Sequence, residues 1–330
     1  MILYNMSTRM RYVVCLGVVI VGIFFLRTYD SYGLLPNHAA VPNRFVTVTE
    51  ADMWKDLYRE EQPEGDKPLC PTMPHSMGGK SHTVEVSLDS TRWEQIEAKL
   101  ANVQQGGRWK PEDCLSQHRV AIIIPYRDRD ENLRVLLNHL HPFLQKQQLD
   151  YAIYVIEQTS GRPFNRAKLF NVGYSEVIRD ASRSCLVFHD VDLLPLDGRN
   201  LYACSRQPRH MSSSLNSFRF NLPYIELFGG AIAISVEQFK TVNGFANRFF
   251  GWGGEDDDTY ERLIAYNMSI TRWPMHIARY KMLNHVRQTP SVKRNEVLAH
   301  TNPRDGLSTL EYKVQKTVMS KLYTHVIVDV

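Results

Sequence analysis

Three stretches of the chain are apolar almost without interruption: residues 120–125 (VAIIIP), 151–158 (YAIYVIEQ) and 185–195 (CLVFHDVDLLP). Such runs predict strands buried on both faces. Between them the period changes. Residues 131–148 carry Leu133, Leu136, Leu137, Leu140 and Leu144 at helical spacing, with Pro142 as a candidate kink. Residues 165–180 (NRAKLFNVGYSEVIRD) predict a second amphipathic helix. Strand–helix–strand–helix–strand over this length predicts a parallel, Rossmann-like α/β sheet of the nucleotide-binding type. Ligands of such sheets sit beyond the carboxyl ends of the strands. Upstream the pattern is weaker. HTVEVSL (82–88) predicts a short strand and STRWEQIEAKLANV (90–103) a helix, separated from their neighbours by Gly-rich loops.

The N-terminus follows another rule. Residues 12–26 (YVVCLGVVIVGIFFL) contain no charge and no proline. With flanks that let Arg11 and Arg27 snorkel, the segment approaches the ~20 residues that a spanning helix needs. No small-x-small cleavage site follows, and Arg9 and Arg11 precede it, so a signal anchor with its N-terminus in the cytosol is expected. The expected organisation is a cytoplasmic tail at 1–11, a transmembrane helix at 12–28, a proline-containing stem at 29–69 and a luminal catalytic domain at 70–330. A short span suits a thin Golgi bilayer.

Composition narrows the class. The chain has 330 residues, 43% hydrophobic, enough for a large core. A formal net charge of +4 does not mark a nucleic-acid binder. Besides Cys15 in the span there are four cysteines, an even number in an oxidising compartment. Of three possible pairings the most local, Cys70–Cys114 with Cys185–Cys204, is expected. Asn267-Met268-Ser269 is a glycosylation acceptor motif.

Candidate chemistry collects at the predicted strand ends. Pro125, Tyr126, Arg127, Asp128 and Arg129 follow the first strand, and the two arginines suit phosphate. Phe164, Asn165 and Arg166 follow the second. After the third come Asp190, Val191 and Asp192. If the strand continues, both carboxylates point to one side and need a cation, and without nearby thiolates this is Mg²⁺ or Mn²⁺. Downstream, Met282 and His285 offer thioether and imidazole, a donor set that favours Mn²⁺. The segment 249–260, FFGWGGEDDDTY, places Trp252 among three glycines and before four acids. By itself the acidic run reads as the first turn of a helix. An aromatic on a glycine hinge beside carboxylates suits a lid over a polar ligand. No phosphate loop of the G-x-x-x-x-G-K-[ST] type is present, which disfavours an unrelated nucleotide-binding protein.

The blocks NRAKLFNVGY, FHDVDLLP, QPRH, FGGAIAIS, NGFANRFFGWGGEDDD and LAHTNPRDGLSTL resemble the β1,4-galactosyltransferase family in the same order over residues 112–330. The resemblance is greatest to its invertebrate-type β1,4-N-acetylgalactosaminyltransferase members. It implies an inverting GT-A glycosyltransferase, anchored in the Golgi membrane, acting from a UDP-sugar on the 4-hydroxyl of a terminal β-GlcNAc. It implies that Pro125 to Arg129, Phe164 to Arg166, Val191, Leu227, Gly230, Trp252 and Glu255 hold the UDP-sugar, and that Asp192, Met282 and His285 bind Mn²⁺. It implies Asp256 as the base, with Gly254, Glu255, Asp257 and Arg294 at the acceptor. The chain departs from the family at Tyr126, Asp128 and Asn295, the last at a position often aromatic. Leu227 stands just before Phe-Gly-Gly, where galactose-transferring members carry Tyr and N-acetylgalactosamine-transferring members a smaller aliphatic residue. UDP-GalNAc is therefore the expected donor and UDP-Gal the alternative. A non-catalytic sugar-binding surface protein is the reading from a different class. The same blocks say nothing of a partner subunit.

Overall fold

The computed structural model describes residues 44–58, 66–72, 83–88, 91–180, 183–286 and 288–330. The expected tail and anchor, and the stem up to residue 43, lie outside these residues. Among the described residues no helix is long and apolar enough to cross a membrane.

In chain order the elements are β1 (Phe45–Thr47), α1 (Met53–Asp56), α2 (Trp93–Lys99), β2 (Arg108–Trp109), β3 (Arg119–Tyr126), α3 (Asp130–Lys146), β4 (Asp150–Gln158), α4 (Arg166–Asp180), β5 (Cys185–His189) and β6 (Leu193–Pro195). They continue as β7 (Arg209–His210), β8 (Ser214–Leu215), β9 (Ala231–Ser235), α5 (Val236–Thr241), α6 (Glu255–Ala265), β10 (Ile270–Arg272), β11 (Arg279–Met282), α7 (Arg294–Ala299), β12 (Lys313–Met319) and β13 (Thr324–Asp329).

The three apolar runs form the centre of the main sheet. β3 pairs in parallel with β4 on one side and β5 on the other, and Val120 to Ile124 are all fully buried. α3 has Asp130 and Glu131 in its first turn and Lys146 in its last, matching the helix dipole. It continues through Pro142 to Lys146, so the proline does not end it. α4 lies close on the other face. A Cβ at Gly173 would stand 2.3 Å from Ile123 Cγ2, so only glycine permits this approach.

The sheet is mixed, not parallel as the sequence predicts. Its order is β1-β10-β7-β9-β5-β3-β4-β13-β12, with β2 paired to β4. β9 runs antiparallel to β5 and β7, and β12 antiparallel to β13. After β5 the chain enters a small second sheet at β6 and β8, touches the main sheet at β7 between them, and returns at β9 without an α-helical crossover. Antiparallel pairing is what such a return permits.

Two further expectations are corrected. The stem does not extend to residue 69. β1 joins the sheet edge beside β10, Met53 is fully buried, and the compact unit begins at Arg44. Apolar side chains reaching the core decide this against a proline-marked composition. The HTVEVSL segment forms no strand within its described residues 83–88. It makes one isolated bridge, Thr83 to Asp197. Both expected disulfides form, Cys70–Cys114 and Cys185–Cys204, with Cα atoms 4.9 and 5.5 Å apart.

Candidate active site

The site lies beyond the carboxyl ends of β3, β4 and β5. β5 ends at His189, so Asp190 and Asp192 sit in the turn leading to β6 and strand alternation does not apply to them. They go to different partners. Asp190 Oδ1 accepts from Arg166 Nε at 2.6 Å, and Asp192 Oδ2 lies 2.8 Å from His285 Nδ1. Burial first, then the Asp190 charge, push Asp192 up to about 6, and His285 pulls the other way. Loss of water around the carboxylate and the Asp190 charge together outweigh the opposing His285 and Arg129 charges.

The small sheet supplies the remaining donors. β11 is antiparallel to β6 with Met282 opposite Leu193, and Leu283 N donates to Asp192 O at 2.7 Å. The ladder therefore brings the Met282 and His285 stretch alongside Asp192. Carboxylate, imidazole and thioether fit a borderline divalent ion such as Mn²⁺ better than Mg²⁺, which prefers oxygen alone.

α6 begins at Glu255, and all four acids lie in its first turn. The helical screw sends them to four environments. Glu255 Oε1 lies 3.4 Å from Arg166 Nη1, while its Oε2 is buried with no hydrogen-bond partner. Burial, then the adjacent Asp256 charge, push Glu255 up to about 7. Asp257 Oδ1 accepts from Tyr224 Oη at 3.1 Å. Asp258 is fully buried and bonds Arg262 Nε at 2.6 Å, so it serves the fold. Asp256 faces the 227–230 loop. A Cβ at Gly229 would lie 3.0 Å from its Oδ2.

Arg166 ties these parts together. It reaches Asp190, Glu255 and, at 3.3 Å, the carbonyl of Gly230. Burial opposes its charge, but Asp190 and Glu255 outweigh that and raise its pKa. Next to it Gly230, at φ 76°, passes so close that a Cβ would meet Ser212 Oγ at 2.5 Å and Leu193 Cδ1 at 2.9 Å. The Leu227–Gly230 loop thus lies between the Asp192 turn and the head of α6. Leu227 is half-buried.

The other expected residues frame this centre. Pro125 is buried at the end of β3 and Tyr126 half-buried beside it, with burial raising the phenol. Asp128 turns the chain with φ 52°. Arg127 donates to Arg162 O at 2.8 Å and lies over Phe164, and Arg129 donates to Val286 O at 3.1 Å. Asn165 is fully buried, bonded to Asn247 O at 2.6 Å. Val191 packs against the main core. Trp252 is 53% exposed, flanked by Gly251, Gly253 and Gly254 at positive φ, with the Arg294 guanidinium 5.6 Å over its ring. Asn267 is exposed in the turn between α6 and β10, at φ 57°. Sequence reading passes over Tyr224 and Arg272, because the side chain of each meets the site through residues 30 or more positions away. A Tyr three residues before Leu227 is the one local sign of the first.

The chain is similar to known glycosyltransferases in sequence and fold. The model for the N-terminal region of glycosyl transferase group 7 matches residues 70–205, and that for the N-terminal domain of galactosyltransferase matches 209–286. β-1,4-Galactosyltransferase 1 of Mus musculus is 45% identical over 270 residues, 80% of this chain and 67% of that protein. The Homo sapiens protein of the same name is 47% identical over 243 residues, and the match spans 61% of its length. β-1,4-Galactosyltransferase 4 of Cricetulus griseus is 39% identical over 342 residues, 99% of this chain and 96% of that protein. The catalytic domain of Drosophila β1,4-galactosyltransferase 7, solved with xylobiose, superposes with a TM-score of 0.55 at 29% identity, over 64% of this chain and 93% of its own. A mutant of that protein, solved with manganese, UDP-Gal and xylobiose, gives the same score at 27% identity.

Proposed function

From the premise that this chain belongs to the β1,4-galactosyltransferase family, we propose that it is an inverting, UDP-sugar-dependent transferase that moves GalNAc to the 4-hydroxyl of a terminal β-GlcNAc. The observation that carries the reading is the Leu227–Gly230 loop held between the half-buried Asp192–His285 pair and Asp256. A base and a cation-seeking carboxylate on either side of one loop suit an in-line displacement at a sugar's anomeric carbon.

In this reading the acceptor 4-oxygen bonds to the anomeric carbon as the bond from that carbon to the UDP oxygen breaks. The acceptor proton passes to Asp256, a role worth ~10²–10⁴ in rate. Asp192, Met282 and His285 would hold Mn²⁺, which supplies charge stabilisation for the departing diphosphate. Arg127, Arg129 and Arg166 add positive charge on the donor side. Glu255 Oε2, buried without a partner, is an acceptor for a donor-sugar hydroxyl. Trp252, on its left-handed glycines, closes over the donor and limits hydrolysis. Asp257 and Arg294 flank the acceptor.

Leu227 carries the donor choice. It lacks the ring and hydroxyl of Tyr, which leaves room and an apolar wall for an N-acetyl group. One such change is worth ~1–3 kcal/mol, roughly 10–200-fold. The names of the relatives favour a second reading, UDP-Gal as donor. Leu227→Tyr should move the kcat/KM preference toward UDP-Gal on the same GlcNAc acceptor. If the parent protein already uses UDP-Gal at least as efficiently as UDP-GalNAc, the second reading replaces the first.

We propose, as part of the same reading, that the chain sits in the Golgi membrane with its catalytic unit in the lumen. Asn267 reports on this, because only a luminal, exposed asparagine acquires an N-glycan. Full-length protein expressed in animal cells should gain mobility on glycosidase treatment, and Asn267→Gln should abolish that change. Identical mobility of parent and variant before treatment would refute glycosylation there.

A further inference from the structure

The carbonyls of the loop carrying Leu227 are held from behind by one side chain. Arg272, at the end of β10, donates from Nη2 to Ile225 O at 2.7 Å and to Leu227 O at 2.8 Å. Its Nε donates to His210 Nδ1 at 3.2 Å. His210 can accept because burial, then the Arg272 charge itself, push its ring down to about 3 and keep it neutral. The opposite side of the guanidinium is covered by Phe45, whose ring centre lies 4.5 Å from the Arg272 carbon. Phe45 is itself stacked on Tyr260 of α6 at 5.7 Å, with the rings 6° from parallel. β1 pairs with β10 in the register Thr47 to Arg272, which fixes the stack.

Few groups elsewhere could replace these bonds. The loop from Tyr224 to Gly230 forms neither helix nor strand, and Ile225 is 55% exposed. Its internal bond at this point is a long one, Leu227 N to Tyr224 O at 3.4 Å. A planar guanidinium with two acceptors, an imidazole and a ring on its face has one orientation. The position of the Leu227 backbone is set by that orientation.

We propose that Arg272 is a positioning residue for donor selection: packed beneath Phe45, it fixes the Leu227 backbone and so the width of the pocket beside the donor sugar. The inference rests on the donor-site reading of Leu227. It also gives β1 a role in specificity, although that strand lies more than 170 residues from the loop in sequence.

The test uses the full-length chain and three proteins, parent, Arg272→Lys and Phe45→Ala. Lysine keeps the charge but lacks the Nε donor to His210 and the planar group that packs on Phe45, so the ammonium has no fixed orientation toward the two carbonyls. Donor KM, acceptor KM and kcat are measured with UDP-GalNAc and UDP-Gal. Arg272→Lys should raise the KM of the preferred donor about tenfold and bring the two donors' kcat/KM values about tenfold closer together. Its kcat and acceptor KM should stay within about twofold of the parent. Phe45→Ala should shift the same quantities in the same direction and less far, and it serves alone if the lysine variant does not fold. Unchanged donor KM and donor ratio in the folded variants, whatever their melting temperatures, overturn the proposal. A parent that prefers UDP-Gal overturns the GalNAc reading instead, and Arg272 then stands or falls on the KM for UDP-Gal.

Discussion

Asp256→Asn should lower kcat by ~10²–10⁴, which corresponds to ~2.7–5.5 kcal/mol of barrier. UDP-sugar and metal affinity should stay near those of the parent. Asparagine has nearly the shape of aspartate, so the contact with Gly229 survives. The amide cannot take up the acceptor proton. None of the neighbouring carboxylates replaces it. Glu255 is held by Arg166, Asp257 is bonded to Tyr224, and Asp258 is locked to Arg262. The remaining rate then comes from positioning alone. The decisive measurement is the split between kcat and donor Kd. A collapse of donor affinity with kcat close to the parent value would make Asp256 a binding residue and leave the reaction without its base.

The parts that were legible in the sequence are those where one short-range rule dominates. β3, β4 and β5 are continuous apolar runs, and burial on both faces allows nothing else there. α3 and α4 show their periodicity plainly. The local disulfide pairing was readable from count and separation. What stayed hidden depends on distant partners. Nothing in AIAIS (231–235) tells whether β9 runs parallel or antiparallel to β5. Phe45 lies in a proline-marked segment that composition assigns to a stem, yet it packs against residues more than 200 positions away. Asp190 and Asp192 look alike in sequence, and only the end of β5 at His189 separates their partners. The acidic run shows the same limit. Its composition predicts a helix start, which is correct, but four adjacent carboxylates divide into a buried fold-forming ion pair and three groups that meet Arg166, the Gly229 loop and Tyr224. Helix geometry alone does not say which face meets Arg262 and which meets the loop at Gly229.

Asp192→Asn should abolish Mn²⁺ binding and transfer together, and it should do so without weakening the fold. The sign follows from the environment. Asp192 is raised from 3.8 to about 6, first by burial and then by Asp190. An acid raised in the folded state costs stability when ionised. That cost is absent below the unfolded value of 3.8 and fully present above about 6. At neutral pH without metal the parent carries the penalty, and the neutral amide does not. Metal-free Asp192→Asn should therefore melt at or above the temperature of the metal-free parent. Added Mn²⁺ should raise the melting temperature of the parent by mass action and leave the variant unmoved. His285 loses its carboxylate contact at 2.8 Å in the variant, but its Nδ1 keeps Leu283 O at 3.3 Å, so the turn remains supported. Full transfer by the parent in EDTA, or a Mn²⁺-dependent rise in the variant equal to that of the parent, would remove Asp192 from the metal site. A metal-free variant melting well below the metal-free parent would show instead that the carboxylate holds the fold. The expected pattern is the opposite: a site that stores unfavourable charge in the empty protein and has it neutralised by the ion.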